Sequence, residues 1–335
     1  MMHDACVPEP REGPSPPGAT GRHEATALEL RLRGPGGEPV DLQRTINSHG
    51  FAELAPARLD PATGSLDLTL RVRGAKPRRV RIGPGRRGYA SVKVLGSRTP
   101  QKAGAQKAGI GYEGQVLAGA SRVLRLDQDL SGFYALAAED PDLSWATTGA
   151  GRMIRSPSVF EDVVKTVCTT NCSWSLTEKM VGSLVRELGD PATGGDGPLT
   201  NAFPTAGAMA AQPERFYREV VRAGYRSPYF VKLAKSAAAG DVDLESLAAE
   251  DDLPDDEIEA RLLALPGVGP YAAAHVMMTL GRNSRLILDS WTRPTYARLL
   301  GKRTVPDAAI RRRFRRYGRH AGLAFWLFVT RDWIE

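Results

Sequence analysis

Two features of this 335-residue chain could do chemistry together. The first is "LPGVGPYAAAHVMM", Leu265 to Met278, a Gly-Val-Gly turn between two helical patterns. The second is Asp289, which follows the apolar run "LIL". Pro270 suits the first position of a helix, where no backbone N–H is needed. Gly267 and Gly269 can adopt backbone angles closed to other residues, and they leave room for close approach. The N–H groups opening the second helix then point outward. They carry partial positive charge and attract anions, phosphate above all. An ordinary helical hairpin in a core uses the same pattern. A carboxylate such as Asp289 can stabilise positive charge developing in a transition state, or orient an attacking water. It can equally open a helix as an N-cap. Pro294 would disturb a helix that began at Asp289.

The elements that must position these groups change character along the chain. Residues 1–23 are rich in Pro, Gly and charge and are expected to be a disordered tail. From 24, "ATALELRLR", "SLDLTLRVR", "RRVRIG" and "ASVKVLG" alternate apolar and polar residues, the pattern of half-buried strands. "FAELAPARLD" runs through a Pro-Ala-Thr-Gly turn into the second of these, which predicts a hairpin. Residues 24–112 are therefore expected to form a small antiparallel sheet domain. From Arg71 to Tyr112 there is no acidic residue, while Lys and Arg recur. These charges either contact phosphate or guard sheet edges against aggregation. Residues 113–335 carry helical periodicity, with 113–150 as a possible bridge between the two parts. "SPSVFEDVVKTVCTT" places Glu161 three after Ser158, and "SLTEKM" places Glu178 three after Ser175; both fit a capping box.

Bulk composition narrows the class. The length suits two domains. A net charge of +7 favours a polyanionic partner. Three cysteines, Cys6, Cys168 and Cys172, cannot build a disulfide framework and point to a reducing compartment. The start "MMHDACVPEP" lacks signal-peptide order, and no apolar run reaches membrane-span length. A cytoplasmic protein with no membrane partner is expected.

The whole string, an amphipathic helix, Leu-Pro-Gly-Val-Gly-Pro, a small-residue helix, "GRNSR", "LIL" and Asp289, resembles one superfamily. It is similar to the helix-hairpin-helix, Gly/Pro-rich, Asp (HhH-GPD) superfamily of DNA base-excision glycosylases. The resemblance covers about 150–335, with "CTTNCSWS" and "AGYRSPYFVKLA" looking like upstream family segments. Residues 24–140 resemble, more weakly, the extra sheet domain of the alkylpurine (AlkA-type) and oxoguanine branches. The implied fold class is α+β: an N-terminal antiparallel (TBP-like) sheet domain, then an all-α HhH-GPD domain.

The resemblance implies roles. Asp289 would be the catalytic carboxylate. Gly267, Val268 and Gly269 would hold a DNA phosphate. Asn171 would sit where the family places a wedge into the duplex, although a turn residue fits that position too. Tyr271 and His275, one helical turn apart, would line the pocket for the flipped base, with Trp326 or Phe328 as its opposite wall; each of these also suits a core. Met278, on the same face, suits a core better. Arg312 and Arg316, on the basic face of "AAIRRRFRRYGRH", would meet phosphates or simply face water. The carbonyls of Leu263, Leu265 and Val268 are a family site for a monovalent cation. Lyase members of the family carry Lys at the position of Tyr271, so this chain looks monofunctional. No Cys follows Cys172, so the four-Cys iron–sulfur cluster of some relatives has no ligands, and no other cofactor is expected.

The expected function is excision of damaged purines, alkylated ones first, from double-stranded DNA by a monomeric enzyme. Oxidised purines are the near alternative, favoured by Asn171. A non-catalytic helix-hairpin-helix DNA-binding protein, and an RNA binder or scaffold built on the basic sheet, are the others.

Overall fold

The computed structural model describes residues 27–96, 110–249 and 252–334. The expected tail over 1–23 lies outside the described residues. So does the middle of the basic stretch, 97–109.

The alternating segments form one five-stranded sheet: β1 (Leu28–Arg31), β2 (Arg58–Asp60), β3 (Ser65–Leu70), β4 (Arg78–Pro84) and β5 (Tyr89–Val94). Its order is β1-β5-β4-β3-β2, and every neighbouring pair is antiparallel. Leu68 pairs with Val80 and Ile82 with Val92, so the period of two lays one apolar face toward the core. The predicted hairpin joins β2 to β3. Asp60 closes its turn by accepting the Ala62 N–H and the Thr63 hydroxyl.

Much of the positive charge on the sheet is engaged inside the protein. Arg81 makes a two-pronged pair with Asp67, and Arg86 makes one with Glu29. Arg71 binds Asp190, and buried Arg79 donates to the Pro56 carbonyl. These arginines tie strands to each other and to the helical part.

The rest is helical, which makes the whole an α+β fold. Ser158 caps the helix Val159–Thr169 by accepting the Glu161 N–H. The Glu161 carboxylate does not reach back to complete a box. It lies 2.6 Å from Lys165 in a buried ion pair. The cap of the next helix, Trp174–Leu188, is Ser173 and not the expected Ser175. Trp174 and Ser175 already lie within its first turn.

One apolar core runs from the sheet through the helices Val159–Thr169 and Trp174–Leu188 to the hairpin helices Asp255–Leu263 and Pro270–Thr279. A second core gathers residues 130–153 against the C-terminal helices, centred on Phe133, Phe314, Phe325 and Phe328. Residues 113–150 divide between the two: Val116 and Ala120 join the first core, Phe133 and Leu143 the second. No helix among the described residues is long and apolar enough to cross a membrane.

Candidate functional site

The hairpin is built as its residues suggest. Asp255, Asp256 and Glu257 open its first helix, where the helix dipole favours anions. Pro270 occupies the first turn of the second helix, Pro270–Thr279. Buried Arg125 closes the far end of that helix by donating to the carbonyls of Thr279 and Leu280. The turn between the helices needs Gly at 267, where φ is +82° and an added Cβ would stand 2.9 Å from the Tyr229 ring. Gly269 is different. Its φ is −102°, an ordinary value, and an added Cβ would meet nothing within 4 Å. The expectation of special angles at both glycines holds only for Gly267.

The turn leaves donors unpaired. The amides of Gly267, Gly269, Tyr271 and Ala272 donate to no backbone or side-chain acceptor among the described residues. The Val268 amide is not one of them, because it donates to the Leu265 carbonyl at 3.1 Å. The donors left free by the turn are therefore those on either side of Val268. Among the expected cation ligands, Leu265 offers a carbonyl already engaged, whereas those of Leu263 and Val268 accept no backbone bond among the described residues. Neutral carbonyl oxygens are the right donors for a hard monovalent cation.

Asp289 sits in a short turn before the helix Thr292–Leu299. Its Oδ1 accepts the N–H groups of Trp291 at 2.8 Å and Thr292 at 2.6 Å. It therefore does the work of a cap, but for a helix that starts at Thr292. Pro294 falls in the first turn of that helix, where its missing N–H costs no bond. The obstacle the sequence raised is thus absent. Oδ2 accepts no hydrogen bond among the described residues.

Asp289 and the hairpin amides line one cavity of about 1130 Å³. Tyr271 forms part of its wall, half-buried, its hydroxyl 3.5 Å from that of Thr169. Burial raises the phenol above its ordinary pKa, and the Asp289 carboxylate adds to that rise. Asn171 lines the same cavity from the loop between Val159–Thr169 and Trp174–Leu188. Its φ is +46°, so it is also a turn residue, and its Nδ2 donates to the Tyr225 hydroxyl at 3.2 Å. Arg226 holds this loop from beneath, donating to the Thr170 carbonyl and, at 3.1 Å, to the Thr170 hydroxyl.

No protein-family model and no curated protein matches the sequence. Solved structures do match the fold. The 3-methyladenine DNA-glycosylase from Archaeoglobus fulgidus is 20% identical, with a TM-score of 0.68 covering 92% of this chain and 100% of its own. The 8-oxoguanine glycosylase/lyase from Clostridium acetobutylicum, solved with dsDNA containing cytosine opposite to 8-oxoG, is 17% identical. Its TM-score is 0.65, covering 93% of this chain and 96% of its own. The chain has the DNA-glycosylase fold.

Within that glycosylase fold, several expected site residues lie elsewhere. Phe328 does not line the cavity. It is 1% exposed and packs between Tyr296 and Phe314, because the helix Ala321–Thr330 is apolar on every face and buried on every face. Trp326 is also buried, its indole N–H donating to the Ser48 carbonyl at 2.8 Å, and it touches the cavity only through Trp291. His275 stands behind Tyr271, with ring centres 6.0 Å apart, and beside His49 and Phe51. Both its ring nitrogens lack partners, and burial depresses its pKa to about 4. Met278 is core. Arg312 is exposed and lies outside the cavity lining; Arg316 pairs with Asp140. The basic helix ends at Phe314 and continues as a tighter turn, with Ile310, Phe314, Tyr317 and Ala321 on the buried side.

Sequence reasoning missed Tyr225, Tyr229, Trp174 and Trp291, all on the cavity wall. Tyr225 and Tyr229 are one helical turn apart in "GYRSPYF", a spacing that was legible. Nothing local distinguished Trp174 or Trp291 from core tryptophans.

Proposed function

We propose that this chain is a monofunctional DNA glycosylase that excises damaged purines, alkylated purines first, as a monomer acting on double-stranded DNA in base-excision repair. The observation that carries the reading is Asp289, with one oxygen pinned by two amides and the other open to the cavity that the unpaired hairpin amides share. A phosphate on those amides would bring the deoxyribose of the same strand toward the carboxylate. The damaged base would leave the stack and enter the cavity. Water would then add at the anomeric carbon as the N-glycosidic bond breaks, with the bonding electrons leaving on the base. Asp289 would offset the positive charge on the sugar and take a proton from the water.

The charge of the cavity supports alkylated purines. Among the described residues Asp289 is the one carboxylate or basic side chain on the lining, and Tyr225, Tyr229, Tyr271, Trp174 and Trp291 add electron-rich rings. Such a wall attracts a cationic base. A cationic alkylpurine also departs as a neutral molecule and needs no acid to protonate it. Among the described residues the lining offers no Lys to act as a nucleophilic amine.

Oxidised purines are the second reading. Asn171 favours them, since an amide at that place is what the resemblance associates with the oxoguanine branch. A monovalent cation held by the carbonyls of Leu263, Leu265 and Val268 belongs to either reading, as does a cytoplasmic location on the chromosome.

The test uses the protein and its Asp289→Asn variant on duplexes bearing alkylated purine or 8-oxoguanine, with and without alkali before sizing the strands. Cleavage only after alkali, and only with Asp289, is expected on the alkylated duplex. Cleavage without alkali would replace hydrolysis by lyase chemistry. No excision from either duplex would leave the hairpin as a binding element alone.

A further inference from the structure

Next to the cavity the protein exposes two large indoles. Trp291, two residues after Asp289, is 41% exposed, and Trp333, near the C-terminus, is 46% exposed. Their ring centres lie 5.5 Å apart with planes tilted by 54°. Both rest on buried Trp326, at 6.0 and 5.9 Å. The Ser48 carbonyl fixes Trp326 through its indole N–H. The segment bearing Trp333 is held as well, since Arg44 donates to the Ile334 carbonyl at 2.8 Å. Exposed tryptophans are costly in water. Here two of them are kept in contact on a rigid base, and one of them also lines the cavity.

We propose that Trp291 and Trp333 form a stacking platform for a nucleobase, continuous with the cavity but outside it, that takes an unstacked base flanking the lesion. This inference rests on the glycosylase reading for its place in the reaction, and on the geometry alone for its ligand. The ligand class follows from the surface. Two partly exposed indoles in contact suit the π-face of any base, with little sequence preference. The platform is shared by distant parts of the chain, so the C-terminal segment would contribute directly to DNA affinity.

The experiment compares the full-length protein with its Trp333→Ala and Trp333→Phe variants. The probe is a duplex carrying a tetrahydrofuran abasic analogue, read by tryptophan fluorescence and by competition, with excision of an alkylated duplex measured in parallel. Trp333→Ala is expected to weaken duplex binding at least about fivefold, the lower bound for one stacked base. Trp333→Phe should recover most of it, and binding should quench the fluorescence of the native protein more than that of Trp333→Ala. A circular-dichroism melt unchanged from the native protein shows that the loss is not unfolding. Equal binding by native and Trp333→Ala protein overturns the platform, whether or not excision occurs. Weakened binding by Trp333→Ala with no excision by any form would keep the platform and remove the glycosylase reading. No duplex binding by the native protein overturns both.

Discussion

Asp289 and Thr292 hold each other. The Thr292 N–H donates to the Asp289 carboxylate at 2.6 Å, and the Asp289 N–H donates to the Thr292 hydroxyl at 2.9 Å. That hydroxyl in turn donates to the Ile287 carbonyl at 2.8 Å. The carboxylate is thus locked by a buried residue that never touches the cavity.

Thr292→Val should therefore act on both stability and rate. It leaves the Asp289 N–H and the Ile287 carbonyl without partners, a loss of about 1–3 kcal/mol. The two N–H groups on the carboxylate are backbone groups and survive, but the Asp289 backbone loses its anchor, so excision should fall about tenfold while duplex affinity holds. A thermal melt and single-turnover excision at saturating protein separate the two effects; an unchanged rate would mean the turn does not position Asp289.

Asp289→Asn should show the opposite profile. The amide oxygen can still accept both N–H groups, so the melting temperature should stay close to that of the native protein. Excision should drop about a hundredfold or more, the scale seen when a group that stabilises transition-state charge is removed. Equal excision by both forms would assign the chemistry to another residue.

The two hairpin glycines should part company. Gly267→Ala forces a Cβ onto a positive φ and against Tyr229, so it should destabilise the fold by about 1 kcal/mol or more. Gly269→Ala meets no protein atom and should melt like the native protein. It should nonetheless weaken duplex binding, because the space beside Gly269 would be where a phosphate sits. Undiminished affinity in Gly269→Ala would put the DNA elsewhere.

Three buried histidines give the stability a pH dependence. Burial depresses His275 and His320 to about 4 and His49 to about 3, the last helped by its neighbour His275. The folded rings stay neutral where the unfolded ones, near 6.5, bind protons. Stability is full above about 6.5 and is lost as pH falls toward 4. The slope is at most about 1.4 kcal/mol per pH unit for each ring. Asp162, raised to about 7 by burial, works in the other direction across that whole range and offsets about one ring's slope. His275→Phe isolates the effect, since it should flatten the acid side of a stability-against-pH curve measured by denaturant melts. An equally steep curve would assign the slope to His49, His320 and the carboxylates.

The strands and most helices were legible because their signal is local. A period of two set the sheet residues, and Ser158, Pro270 and Gly267 mark helix ends through constraints that act within a few bonds. Asp289 and the hairpin were legible as a pair only because their order along the chain resembles a known set. Ser173, standing as the cap where Ser175 was expected, shows the limit even of local signals: both fit the pattern, and backbone geometry chose.

The sequence by itself determined the element types, the sharp turn at Gly267, the absence of Lys at position 271 and the lone carboxylate after "LIL". Only the tertiary structure decided which aromatic residues face open space. Phe328 lies in an apolar run and Trp291 among polar residues, but neither string says how much of the ring is covered. Phe328 is buried because its whole helix is covered by other parts of the chain, whereas Trp291 is exposed because the Asp289 turn lies at the cavity edge. The same holds for charge. Arg316 and Arg81 read as cations awaiting a polyanion, but Asp140 and Asp67, distant in sequence or across a strand, reach them first. Burial and pairing depend on what the rest of the chain brings close, and that information lies in no short stretch of residues.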